Sequence, residues 1–318
     1  MANREASDWF ECVPNFSEGR RPWVWERIGR AAEAQGATLL GAEGDPDHHR
    51  AVVTVAGGAA VIYEAALAMA RVAVEAIDLR QHRGTHPRIG AVDVVPVVPL
   101  GATPMAAAVA LAERIGRRLA EDLDLPVYLY GEAARTPKHR LLAELRRGGF
   151  EGLAAQLAED PPDFGPARPH PTAGAVAVGA RRLLIAFNVY LDTQDLAVAR
   201  NLARRLRESS GGLPGVQALA MDTRQRGHVQ VSMNLVNYPT TPLPVVLETL
   251  RAEATRLGVG VAGSELVGLM PFEALLDTAR HYLALPDLRA DQILEWRLAR
   301  RPWETGDGAP APGAAPPT

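Results

Sequence analysis

The spacing of apolar and polar positions changes along the chain, and the changes predict an order of elements. Trp9 to Val13 reads as a strand. A helix follows, opened by Ser17 and Pro22 and stopped near Gly36, with Val24, Ile28 and Ala31 on its buried face. Thr38 to Ala42 and Ala51 to Val55 are strand candidates, and a longer helix spans about Ala59 to Ile77. Val92 to Val98 is a β-branched strand ending at Pro99; Pro96 inside it predicts an edge position or a bulge. The order is βαββαβ, the split arrangement of ferredoxin-like folds.

An extension follows. Thr103 and Pro104 start a helix that carries Met105, Ala108, Ala112, Ile115 and Leu119 on one side. Pro126 to Tyr130 reads as a short strand, and Lys138 to Arg146 and Glu151 to Leu157 as short helices. A second βαββαβ pass begins near Arg182. It comprises a strand at Leu183 to Val189, a helix capped by Asp192 and Thr193, and a hairpin of Val216 to Asp222 with Val229 to Val236 around Gln225 to Gly227. A helix from Thr241 and Pro242 and a strand at Val259 to Leu266 close it, with helical additions at Phe272 to Leu283 and Ala290 to Ala299.

The expected class is therefore α/β (α+β): two ferredoxin-like βαββαβ subdomains with a ligand cleft between them. The expected bounds are residues 1–180 and 181–303, followed by a disordered Ala/Pro/Gly-rich tail at 304–318. Pro161 to Gly174 reads as a linker on composition alone.

Charge narrows the partners. The 318 residues include 34 basic and 37 acidic side chains, so no one-sided excess points to nucleic acid or a membrane surface. Cys12 is the only cysteine, which fits a reducing cytoplasm and leaves no internal disulfide. The polar start, Met1 to Asp8, lacks a signal-peptide core. Glu64, Arg71 and Glu75 make the Ala/Val-rich stretch a core helix rather than a membrane span.

Four features point nowhere as motifs. Gly258, Gly260 and Gly263 spell G-x-G-x-x-G, but between a helix and a strand, the reverse of a dinucleotide loop. Cys12 lies in a strand, where a buried structural thiol is the default. His82 and His86 have helical metal-pair spacing, but Gly84 interrupts them and Pro87 pushes His86 out of the helical region. The adjacent His48 and His49 read as turn and strand-edge residues that diverge.

One constellation remains. Arg80 to Asp93 joins a helix to a strand and packs two histidines and three arginines into a loop controlled by glycine and proline. Such loops carry chemistry more often than helix surfaces; a solvated basic connector is the alternative.

At these residues a resemblance becomes specific. The stretches ECVPNFSEGR (Glu11 to Arg20), HRGTHPRIGAVD (His82 to Asp93), VYLYGEAAR (Val127 to Arg135) and GSELVGL (Gly263 to Leu269) resemble the glutamate formimidoyltransferases. They equally resemble the formiminotransferase part of the bifunctional formiminotransferase–cyclodeaminases. DFGP (Asp163 to Pro166) and LIAFN (Leu184 to Asn188) extend the likeness, which runs from about residue 10 to residue 285.

The resemblance implies one transferase unit of two subdomains, with tetrahydrofolate as co-substrate, no metal, and a homodimer. It implies that His86, the second histidine of H-x-G-x-H-P-R, is the acid–base residue. It also implies a folate-contacting loop made of Gly165, Pro166, Ala167, Arg168, Pro169, His170, Pro171, Thr172, Ala173 and Gly174. A chain of this length implies no cyclodeaminase activity. Two positions depart from the mammalian members: Thr85 stands where those have glutamate, and Ala173 where those have an aromatic residue, which weakens any expectation of pterin stacking there.

Within that reading Arg88 is a carboxylate partner for substrate or, equally, a structural ion pair to Asp93. Glu43 faces the cationic amidine or is a solvated strand end. Asn15 orients a substrate or the His86 loop, or caps the first helix. The competing readings are a non-catalytic folate-binding or regulatory module, and a metal-dependent amidine hydrolase using His82 and His86.

Overall fold

The computed structural model describes residues 8–46, 48–84, 87–223 and 227–299. The expectations for Thr85 and His86, for the turn tip at 224–226 and for the tail at 304–318 fall outside the described residues. Contacts divide the chain into a first unit ending at Arg181 and a second beginning at Arg182.

In the first unit β1 (Trp9–Cys12) and β2 (Asn15–Phe16) are one strand interrupted at Val13 and Pro14. Then come α1 (Pro22–Glu33), β3 (Thr38–Asp45), β4 (Arg50–Gly58), α2 (Ala59–Ala76) and β5 (Val92–Leu100). β3 pairs antiparallel with β4, β4 with β1 and β2, and these with β5. Counting β1 and β2 as the first strand, the order is second-third-first-fourth, the ferredoxin-like order.

The extension adds α3 (Met105–Leu123), β6 (Val127–Gly131), α4 (Leu142–Leu145), α5 (Gly149–Glu159) and β7 (Val176–Ala180). β7 lies parallel between β5 and β6. β5 therefore has neighbours on both sides, and Pro96 is not at an edge. The proline's missing N–H coincides with the break between β1 and β2, where Val13 N–H donates to the Pro96 carbonyl at 3.3 Å.

One face of this sheet is covered by α1, α2 and α3, whose Ile28, Ile62, Met69, Ile115 and Leu119 are fully buried. Each such side chain is worth roughly 1.5–3 kcal/mol of burial. Cys12 belongs to this core, and burial pushes its thiol up to about 12. The other face carries a smaller cluster in which Ile89, Val94 and Tyr128 pack with Leu145 of α4 and Leu153 of α5.

The second unit runs β8 (Ile185–Leu191), α6 (Leu196–Leu206), β9 (Val216–Met221), β10 (Val229–Leu235), α7 (Leu243–Arg256) and β11 (Val261–Val267). All pairs are antiparallel, in the order β11-β8-β10-β9, again fourth-first-third-second. The cap of α6 is Asp195, which accepts Ala197 N–H at 2.8 Å, rather than Asp192 or Thr193. Gly258, with φ +72°, ends α7 ahead of β11, so the G-x-G-x-x-G run is a helix stop. α8 (Phe272–Tyr282) and α9 (Leu294–Ala299) follow. Among the described residues no helix is long and apolar enough to cross a membrane.

Candidate functional site

The motif residues of the first unit converge where α2 returns to β5. Ser17, after β2, donates its hydroxyl to the Gly90 carbonyl at 2.7 Å, so it does not cap α1. Among the described residues no side chain caps α1; buried Glu18 instead braces the turn ahead of it, its Oε1 accepting from Arg20 N–H at 2.8 Å and Arg21 N–H at 3.1 Å. Asn15 does not cap the helix either: its amide donates to the Val13 carbonyl at 2.8 Å, across the break between β1 and β2.

The turn between β3 and β4 carries His48 and His49, and Arg50 opens β4. His48 turns to Asp45, 2.7 Å away. His49 turns the other way, and its Nδ1 accepts Gly19 N–H at 3.0 Å. His82 stacks on His49 with ring centroids 4.3 Å apart. His82 Nε2 lies 2.8 Å from the His49 carbonyl, which can only accept, so the proton is on Nε2. His82 is 5% exposed, and among the described residues its Nδ1 has no partner. Burial lowers the proton affinity of both rings. Gly84 allows this approach: a Cβ there would sit 2.5 Å from the His48 carbonyl and 2.8 Å from the His49 Cβ.

Past the undescribed pair, Arg88 forks onto Glu151 of α5, with Nη2–Oε1 2.8 Å and Nη1–Oε2 3.2 Å. The expected pairing of Arg88 with Asp93 is thus corrected. Asp93, 2% exposed, instead accepts Ile89 N–H at 2.8 Å and pairs with Arg146 at 2.5 Å. Arg50 completes the group; burial, with Arg146 nearby, brings its guanidinium down to about 10. A small pocket is lined by Phe16, Ser17, His49, Arg50, His82, Arg88 and Asp93, with His48 at its side.

The 165–174 segment is tied to the same place at one end only. Leu79 N–H donates to Thr172 O at 2.8 Å, Ala91 N–H to Ala173 O at 2.9 Å, and Ala175 N–H to Ile89 O at 2.9 Å. His170 Nδ1 accepts Ala173 N–H at 3.0 Å and holds the bend. Ala173 is 1% exposed and its methyl group lies in the α2–α3 core, so this side chain presents nothing at the surface. The other end packs beside β6: Gly165 lies against the Leu125 carbonyl, and Arg168 pairs with Asp124 at 2.6 Å. Phe164 has the guanidinium carbons of Arg117 and Arg135 each 4.8 Å from its ring centroid.

Glu43 is an exposed residue of β3 opposite Val52 and does not line the pocket. A larger depression of about 420 Å³ between α2 and α3, lined by Tyr63, Glu113 and Arg114 among others, contains none of the motif residues. Among the described residues no group of three or more His, Cys, Asp or Glu could hold a metal.

In the second unit GSELVGL and LIAFN meet across β11 and β8. Glu265 Oε2 accepts from Tyr190 OH at 3.0 Å, Asn188 Nδ2 at 3.1 Å and Gln230 Nε2 at 3.3 Å. Among the described residues no cation pairs with it. Sequence reading missed this cluster and the roles of His49, Arg50 and Arg146. The chemistry-bearing turn H-H-R was visible, but the partners of its His49 lie 30 or more residues away.

Comparison with known proteins places these motifs in one family. The profile of the formiminotransferase domain, N-terminal subdomain, matches residues 9–181, and that of the formiminotransferase domain matches residues 186–294. The chain is 41% identical over 292 residues to a glutamate formimidoyltransferase of Streptococcus pyogenes, covering 91% of this chain and 98% of that one. It is 43% identical over 295 residues to one of Thermoplasma acidophilum, covering 91% and 97%. Against the formimidoyltransferase-cyclodeaminase of Mus musculus it is 44% identical over 280 residues, covering 86% of this chain and 52% of that protein. A protein whose two units are matched in sequence order by both parts of one transferase domain, and whose identity to these relatives runs nearly end to end, belongs to the formiminotransferase family.

Proposed function

We infer that the protein transfers the formimino group of N-formimino-L-glutamate to N5 of tetrahydrofolate and releases L-glutamate. The observation that carries this reading is the near-full-length similarity to two proteins named glutamate formimidoyltransferase. Tetrahydrofolate is a co-substrate in it, no metal takes part, and the protein acts as a cytoplasmic homodimer.

The chemistry requires one residue to handle a proton twice. As N5 attacks the amidinium carbon, a C–N bond forms and N5 must lose its proton. As the bond to the glutamate nitrogen breaks, that nitrogen must gain one. A single imidazole does both in turn, and His86 is assigned this role. Support comes from its flanks. His82 and Gly84 pack on the 48–49 turn, and Arg88 is held by Glu151. Arginine-rich surroundings (Arg50, Arg88 and Arg146 against Asp93 and Glu151) suit the carboxylates that both substrates carry. The 170–174 bend, hydrogen-bonded to residues 79–91, is the part of the proposed folate loop nearest this chemistry.

The test is folate-dependent release of glutamate from formiminoglutamate, with a folate-free control. His86→Ala should lose about 10²- to 10⁴-fold in kcat while still binding both substrates. Near-normal turnover in that variant removes His86 from the mechanism. Release without folate would favour amidine hydrolysis instead.

A further inference from the structure

We propose that His49 is a specificity-determining residue whose Nε2–H donates a hydrogen bond to a glutamyl carboxylate bound beside Arg50 and Arg88. The proposal rests on the transfer reading for the identity of its ligand, and on the geometry of the 48–50 turn for the residue.

The argument begins with the tautomer. Gly19 N–H donates to His49 Nδ1 at 3.0 Å, so Nδ1 carries the lone pair and the ring's one proton is on Nε2. Adding a second proton would set two N–H groups against each other. Burial and the neighbouring Arg20, Arg21 and Arg88 also disfavour it, with only Glu18 opposing among the nearby charges. The ring is clamped from its flank by stacking on His82. His49 Nε2 has no hydrogen-bond partner among the described residues, and the residue lines the pocket with Arg50 and Arg88.

The backbone does not explain the imidazole. His49 sits at φ +53°, a left-handed conformation that asparagine or glycine adopts at least as readily. A donor-only nitrogen also selects its ligand. The amidinium group of the donor has no acceptor to offer it, whereas a carboxylate does. The other pocket groups are already engaged: the Ser17 hydroxyl with Gly90 O, and Asp93 with Ile89 N–H and Arg146. Arg50 and Arg88 line the same pocket, and a guanidinium beside the ring favours an anionic acceptor over a carbonyl.

Both substrates carry glutamyl carboxylates, so the experiment separates them. KM for formiminoglutamate and for tetrahydrofolate, and kcat, are measured for wild type, His49→Asn and His49→Gln, with calorimetric binding of L-glutamate alongside. Asparagine keeps the backbone and loses the reach of Nε2–H; glutamine restores a donor at similar reach. His49→Asn should raise one KM about tenfold with kcat within about twofold, and His49→Gln should recover most of the loss. A rise in the donor KM with weaker glutamate binding assigns the carboxylate to the donor. A rise confined to the folate KM assigns it to the folate tail. Unchanged KM values, or a loss in kcat alone, overturn the proposal. If His49→Asn does not fold, His49→Ser takes its place as the variant without the donor, and unchanged KM values there overturn the proposal. If wild type shows no folate-dependent release, the transfer reading fails, and glutamate binding alone decides: wild type must bind it more tightly than the folded variant, and equal or undetectable binding by wild type rejects the role.

Discussion

The two units share one strand order and use it to hold a carboxylate in opposite ways. In the first, Asp93 is buried against Arg146 with Arg50 close by, so charge is balanced by charge. In the second, Glu265 is held by an amide, a phenol and another amide, so among the described residues charge is met by dipoles. Topology therefore did not dictate the chemistry; the side chains carried by the fourth strand of each unit did, Asp93 near the start of β5 and Glu265 in the second half of β11. Pairing by formal charge makes the first cluster costly to break, because a buried ion that loses its partner pays its full desolvation. Pairing by dipoles makes the second cheaper to break and nearly indifferent to salt.

The comparison is most sharply tested at Asp93. Asp93→Ala strands the largely enclosed guanidinium of Arg146 and the Ile89 N–H, and should lower first-unit stability by about 3–5 kcal/mol. Denaturant unfolding followed by a first-unit probe reads this, since two units need not unfold together. A loss under about 1 kcal/mol would mean that water or Arg50's other contacts replace the carboxylate.

Next in size is Glu265→Leu, which leaves the buried Asn188 and Gln230 amides short of an acceptor and should cost roughly 1–3 kcal/mol in the second unit. The loss should change little between low and high salt. A strong salt dependence would reveal a cationic partner and erase the contrast.

The smallest effect concerns pH. Burial lowers His82 and His49 below the ordinary 6.5, so above that value both are neutral folded or unfolded and contribute nothing. As pH falls below 6.5 the unfolded chain takes up protons first, and first-unit stability declines until the folded-state values are passed. His82→Gln should flatten that decline in a thermal-unfolding series. An unchanged slope would place the titration elsewhere.

Much of the fold was legible because each unit announces itself by period. The β-branched runs at Val92 to Val98 and Val229 to Val236 and the amphipathic faces of α1, α3 and α6 fell close to their observed places. β7 was missed because Val176–Ala180 is short, buried on both sides and follows a proline-rich run, so it shows neither alternation nor contrast. For Pro96 the edge alternative fails, whereas an irregularity is present, in the facing strand where β1 breaks before β2.

The site was legible as a motif and not as a geometry. H-x-G-x-H-P-R drew the eye to a loop whose described residues pack on the 48–49 turn. Yet Arg88 found Glu151, 63 positions on, rather than Asp93, five away. The proton position on His49 is set by Gly19, 30 positions back. Hydrogen bonds across such separations leave no periodic trace in a single sequence.

Cys12 offers an experimental convenience. Its sulfur is wholly enclosed, and its thiolate form is suppressed far above working pH, so alkylating and maleimide reagents have no nucleophile to find while the fold is intact. A cysteine placed at an exposed position such as Glu43 or Arg168 can then be labelled selectively in the native background. Fluorophore or spin-label pairs for following substrate-linked motion thus need no cysteine-free parent.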